Sequence, residues 1–163
     1  MSDLSSALLF LLSRAATSAS GAFEARELGR HNVTLAMYRV LVTLARHDDQ
    51  RLGDLAALAE VEMSTLSRLI GTMQARRLVT RRRSGKDARA VRIRISDQGR
   101  ALAGKLAAAA TTFETALSRG LAAREQQALK RGLERIGETA AVMVQAPAAP
   151  ARKSRPPRRA RAA

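Results

Sequence analysis

The sequence predicts a mostly α fold with a small β wing. Three observations predict it. Apolar residues recur at helical spacing along most of the chain. Two short helical segments are separated by a break of only three residues. One stretch, "TRRRSGKDARAVRIRIS" from Thr80 to Ser96, alternates arginine with β-branched residues, as a strand with one apolar and one charged face does.

Taken in order, Leu4 to about Glu27 is rich in Leu and Ala and lacks Pro. Leu4, Leu8, Leu11, Leu12, Ala15, Ala16 and Ala19 form its apolar stripe. A turn is expected at Gly29 to Asn32. Thr34 then caps a second helix running to about His47, with Met37, Tyr38, Val40, Leu41 and Leu44 on its buried side. "HDDQ" closes that helix as a solvated turn. A short helix is expected over Asp54 to Ala59 and another from Met63 to about Arg76. The hairpin follows, turning at "SGKD", where Gly85 is free to adopt positive φ. Ser96 caps a long helix with the stripe Leu102, Leu106, Phe113, Leu117 and Leu121. The last helix, from about Arg124 to Met143, is expected to turn Leu129, Leu133, Ile136 and Met143 inward. Residues 1–145 therefore read as one domain. Residues 146–163 hold all four prolines and six basic residues with no acid, and read as a disordered basic tail.

Composition narrows the partner. There are 29 Lys+Arg against 14 Asp+Glu, a net charge of +15, which points to a polyanion: nucleic acid first, an anionic membrane surface second. Aromatics are 2% with no Trp, which disfavours a single-strand binder that stacks bases on rings. With no Cys there is no thiolate metal site, disulfide or cysteine redox switch. The longest apolar run, "ALLFLL" from Ala7 to Leu12, is far below the roughly 20 residues of a membrane span. Asp3 precedes it and no positive charge does, so a signal peptide is not expected either. A soluble cytoplasmic protein is the expectation.

Two short helices, a tight break and a basic hairpin make a winged helix-turn-helix. Leu55, Ala56, Leu58 and Ala59 would pack the first short helix on the second, which buries Leu66, Leu69, Ile70 and Met73. Ser64, Thr65, Ser67 and Arg68 are left outward, small polar groups plus one arginine, suited to base edges and phosphates in a major groove. The helix N-terminus also suits a nearby phosphate. Between Arg76 and Arg94 there are nine basic residues and one acid, a density that phosphate contact requires. Arg81, Arg82, Arg83, Lys86 and Arg89 are the wing candidates.

At these residues the chain resembles the MarR family of bacterial transcriptional regulators. The resemblance rests on "LGDLAALAEVEMSTLSRLIGTMQARRLVTRR", the wing "KDARAVRIRIS" and "SDQGRAL" after it, and covers about Leu4 to Met143. The family's wing pattern, an aspartate then an arginine two along, matches Asp87 and Arg89. Its hydrophobic–Ser/Thr–Asp–x–Gly pattern matches Ile95, Ser96, Asp97 and Gly99. The resemblance implies a winged helix-turn-helix domain in a helical homodimer joined through the first and last helices. It further implies recognition helices in the major groove of a pseudo-palindromic operator, wings near the minor groove, and release of a repressor by a small-molecule effector. This sequence departs from the family at three places: Arg77 where Gly usually follows the recognition helix, Ala88 inside the wing motif, and Glu62 where Ser commonly caps. Ala88 leaves open whether Lys86 or Arg89 is the minor-groove residue.

Blander readings stand beside these. Arg68 could be a surface charge, Ser64, Thr65 and Ser67 helix-start residues, and Arg81 to Arg83 a solvated face. Asp87 is a bridge to Arg68 or Arg89 rather than a DNA contact, because a carboxylate repels phosphate. His31, Met37 and Tyr38 are candidates for an effector pocket, set against a structural loop histidine and plain core. His47, Asp48 and Asp49 are adjacent at a helix end and do not suggest a metal; no cofactor is expected. The leading function is a sequence-specific regulator of double-stranded DNA; the alternative is a non-specific DNA-coating protein driven by wing and tail. An enzyme ranks last, with no Gly-rich phosphate loop, carboxylate pair or His/Cys cluster in the sequence.

Overall fold

A computed structural model describes residues 7–83 and 91–145 of the chain. Helix α1 spans Leu8–Phe23 and passes into one π turn, Glu24–Leu28, and one 3-10 turn, Gly29–His31. Asn32 stops it with φ 51°, the left-handed conformation that asparagine tolerates. Helix α2, Leu35–Arg46, begins where expected: Thr34 Oγ1 accepts from Met37 N–H at 3.2 Å, and Glu24 Oε1 accepts from Leu35 N–H at 3.3 Å. Two orphan donors of the first turn are thereby satisfied.

Strand β1, Gln50–Arg51, is too short to leave a sequence signal. It is followed by α3, Leu52–Leu58, and α4, Met63–Ala75. Leu55, Ala56 and Ala59 bury against Leu66, Ile70 and Met73, as the pattern predicts. Leu58 does not join them; it is exposed, because the seven-residue helix turns that position away from α4. Leu69 is only partly buried. Both helices end with the same device. Glu60 N–H reaches Ala57 O and Val61 N–H reaches Ala56 O; likewise Arg77 N–H reaches Gln74 O and Leu78 N–H reaches Met73 O. This is the Schellman pattern, and its left-handed position holds Glu60 (φ 52°) and Arg77 (φ 56°) instead of glycine. Arg77, the departure from glycine noted in the sequence, therefore carries a Cβ at a left-handed position, which is strained.

Strands β2, Val79–Arg83, and β3, Val91–Ile95, pair antiparallel with β1 in the order β1-β3-β2. The register sets Val79 opposite Ile95 and Arg81 opposite Ile93 on the inner face. On the outer face Thr80 lies opposite Arg94 and Arg82 opposite Arg92. Helix α5, Asp97–Leu117, is capped by Ser96 Oγ, which accepts from Gly99 N–H at 2.9 Å. The core runs through α2, α3, α4, α5 and the inner sheet face, with Leu41, Leu44, Leu66, Ile70, Ile93 and Leu106 fully buried.

The chain divides into two units, residues 1–119 and 120–163. In the second, α6 spans Ala123–Gln145. Leu129, Leu133, Ile136 and Met143, expected to face inward, are all exposed on the single chain, as are Leu8, Leu9, Phe10 and Leu11 on α1 and Leu117 and Leu121 near the end of α5. An apolar stripe predicts that something is covered, and not that the same chain covers it. No helix among the described residues is long and apolar enough to cross a membrane.

Candidate nucleic-acid interface

Helix α4 presents the face that the sequence predicts. With Leu66, Ile70 and Met73 turned inward, Ser64, Thr65, Ser67, Arg68, Gly71 and Thr72 are all exposed. The helix N-terminus differs from expectation. Glu62 is a full cap: Oε1 accepts from Ser64 N–H and Oε2 from Thr65 N–H, both at 2.9 Å, and the Ser64 hydroxyl donates to Oε2. Bonding from the Ser64 hydroxyl, and then from the Ser64 and Thr65 N–H groups, holds the Glu62 carboxyl down at about 2. A carboxylate thus occupies the positive helix end that could have taken a phosphate. The exposed polar face is left to make the contacts.

The wing basic residues fall into two groups. Arg81 and Arg82 are exposed on β2, and Arg83 ends that strand. Lys86, Asp87 and Arg89 lie outside the described residues, as do the "SGKD" turn and the tail 146–163. A second group of cations in the stretch from Arg76 to Arg94, none of them among the site candidates, is used internally. Arg76 Nη1 donates to Asn32 O at 2.5 Å and approaches Met37 Sδ at 3.7 Å, and its Nη2 donates to His31 O at 2.9 Å, tying the end of α4 to the turn before α2. Arg92 Nε faces Asp49 Oδ1 at 3.0 Å and its Nη2 donates to the Asp49 carbonyl. Arg94 pairs loosely with Asp48 Oδ2 at 4.0 Å.

Sequence reasoning missed Asp48 and Asp49, dismissed as a solvated turn. Asp48 Oδ1 accepts from the backbone N–H of Ile95 at 2.9 Å and of Asp49 at 2.8 Å, while Oδ2 meets Arg100 at 3.4 Å. Asp49 holds φ 58°. The turn fastens β3 and the start of α5 to the end of α2. An arginine-rich strand facing an isolated Asp-Asp pair was the available signal. Among the described residues no group of three His, Cys, Asp or Glu is arranged to hold a metal.

His31, Met37 and Tyr38 do not line one cavity. His31 borders a cleft of about 300 Å³ with Arg76, Leu78, Gln98, Ala101, Leu102 and Lys105. Tyr38 borders a separate one of about 200 Å³ beside α3. Met37 lines neither and is buried in the core. Tyr38 also stands edge-on to Phe23 at 5.2 Å, and Phe23 lies 5.2 Å from Phe113, so it is part of the core. Burial, and then Glu114, raises its hydroxyl pKa, with Arg46 opposing, so the group is a donor at neutral pH.

A MarR family model matches residues 31–90, from the turn before α2 into the wing. Among solved structures, the chain is similar to a MarR family transcriptional regulator from Silicibacter pomeroyi DSS-3 at 34% identity and TM-score 0.68, covering 83% of this chain and 99% of that one. It is similar to the transcriptional repressor CouR, solved on a 23-mer DNA duplex, at 25% identity and TM-score 0.77, covering 84% and 96%. At 23% identity it shares the fold of Bordetella bronchiseptica BpsR, with TM-score 0.78, covering 84% and 97%. No curated protein matches.

Proposed function

The chain belongs to the MarR family of transcriptional regulators, and on that footing we propose that it is a dimeric, sequence-specific binder of double-stranded DNA that represses and is released by a small molecule. The observation that carries the reading is the face of α4: four exposed groups, Ser64, Thr65, Ser67 and Arg68, on a helix whose opposite face is fully buried beside a basic wing. Short polar side chains and one arginine are groups that read base edges in the major groove. CouR, with a similar helix-turn-helix, is a repressor seen on duplex DNA. The exposed apolar residues of α1 and α6 are what a second copy would cover, which supports the dimer. The cleft beside His31, with Arg76 and Lys105 on its rim, suits an anionic effector. No catalytic step is assigned to the chain, and its place of work is the cytoplasm, with the DNA.

A second reading keeps a specific observation: the tail's six basic residues without an acid suit a protein that coats DNA without reading it. Selection of bound sequences from random duplex separates the two. The regulator reading expects one enriched sequence made of two half-sites about one helical turn apart, mirroring a two-fold dimer. A monomer enriches a single half-site, and a coating protein enriches nothing.

A further inference from the structure

The outer face of the three-stranded sheet carries a row of arginines that crosses all three strands. Arg51 on β1 lies directly opposite Arg92 on β3, and Arg92 lies directly opposite Arg82 on β2. Residues directly opposite in antiparallel strands share a face, so the three guanidinium stems rise from one line across the sheet. Like charges in that arrangement repel. The central one is neutralised: Arg92 is held by the side chain and the carbonyl of Asp49. Arg94, next along the same face, is met by Asp48. The two at the edges are not. Arg51 and Arg82 are exposed and make no ion pair among the described residues.

We propose that this face is a second phosphate-contact surface, in which Arg51 and Arg82 each take one phosphate of the bound duplex while Asp49 fixes Arg92 between them. The proposal rests on the DNA-binding reading above and adds to it Arg51, which lies outside both the recognition helix and the wing. Strands are spaced about 4.8 Å apart, so the edge residues stand roughly 10 Å apart at their backbones. Arg51 also immediately precedes α3, where it is the residue at the N-terminal boundary of the helix. A phosphate held there positions the helix-turn-helix as a whole. Asp49 deters collapse of the row: without it three adjacent cations would splay apart, and the spacing of the outer two would be lost.

The test is binding of the full chain to a random-sequence duplex across a salt series, for the parent, Arg51→Gln, Arg51→Lys, Arg82→Gln and the control Arg26→Gln, an exposed arginine on the π turn after α1. Each phosphate contact contributes about 0.9 to the slope of log K against log salt. Arg51→Gln and Arg82→Gln should each flatten the slope by about 0.9 for every protomer engaged, while Arg51→Lys and Arg26→Gln keep the parent slope. Melting curves of all variants should coincide, since the replaced side chains are exposed. If the parent binds and Arg51→Gln keeps its slope, or if Arg51→Lys flattens it as much as Gln does, this surface is not a phosphate contact, although the regulator reading stands. If the parent itself shows no salt-dependent duplex binding, the regulator reading falls and this inference falls with it.

Discussion

Replacing Arg77 by glycine should make the protein more stable, although it removes a charged side chain and adds backbone freedom. Arg77 sits at φ 56°, in the left-handed position after α4, because Arg77 N–H must reach Gln74 O and Leu78 N–H must reach Met73 O. A residue with a Cβ loses about 1–2 kcal/mol in that conformation. Glycine removes the loss, but its larger freedom in the unfolded chain takes back roughly 0.5–1 kcal/mol. The net expected gain is about 0.5–1 kcal/mol. No folded-state contact is forfeited in exchange: the side chain is exposed, and the bond this residue makes to Ser96 uses its carbonyl, which accepts from the Ser96 hydroxyl at 2.5 Å. For a chain of this size the melting temperature should rise by about 1–4 °C. Arg77→Ala is the control, since it discards the same side chain and keeps the strained Cβ. Both variants are melted and titrated with urea at one protein concentration, because a dimer's stability depends on it. A glycine variant no more stable than the alanine variant would refute the strain reasoning.

Gly99→Ala should do the opposite: an added Cβ would lie 2.1 Å from Leu78 O and 2.9 Å from Ile95 Cγ1, backbone that Ser96 N–H also binds, so urea titration should show a loss of about 2 kcal/mol or more. Glu62 has a folded-state pKa of about 2 against an ordinary 4.5, so its capping contribution is full above the higher value and is lost as pH falls through the lower. The stability gap between the parent and Glu62→Gln should therefore be flat above about pH 5 and close between about pH 4.5 and pH 2; a gap that does not change across that window contradicts the cap. Arg68→Ala should relax preference at one major-groove position at a loss of about 1–3 kcal/mol, whereas Arg89→Ala should weaken binding to most sequences alike; parent-like binding by both would remove these residues from the interface.

The helices were legible because burial writes a period into the sequence: Leu66, Ile70 and Met73 mark the inner face of α4, and Thr34 and Ser96 mark helix starts by chemistry that caps require. The hairpin was legible from strict alternation of arginine with Val91, Ile93 and Ile95. What a period cannot carry is the partner of each charge. Arg76, Arg92 and Arg94 look like Arg81 and Arg82 in sequence, yet their counter-groups, at Asn32, Asp49 and Asp48, lie more than forty residues away along the chain. Three of the left-handed positions were equally hidden, because Asn32, Asp49 and Glu60 fill them where glycine would have announced a turn, and only Arg77 was marked, by the family's usual glycine at that place. The inward reading of α6 failed for another reason: Leu129, Leu133 and Ile136 are apolar at helical spacing, but spacing does not say which chain covers them.

The central claim is that the folded body reads sequence and the tail only adds charge. It is tested most directly by binding full-length protein and a 1–145 truncation to the selected duplex and to random duplex across a salt series. With six basic residues removed per chain, the slope should flatten by several units, at about 0.9 per phosphate released. Affinity for both duplexes should fall by a similar factor, so that the ratio between them, on the order of 10³ or more for a specific binder, survives truncation. A ratio near one in the full-length protein, or loss of all DNA binding on truncation, would contradict the account and mark a protein that coats DNA instead of reading it.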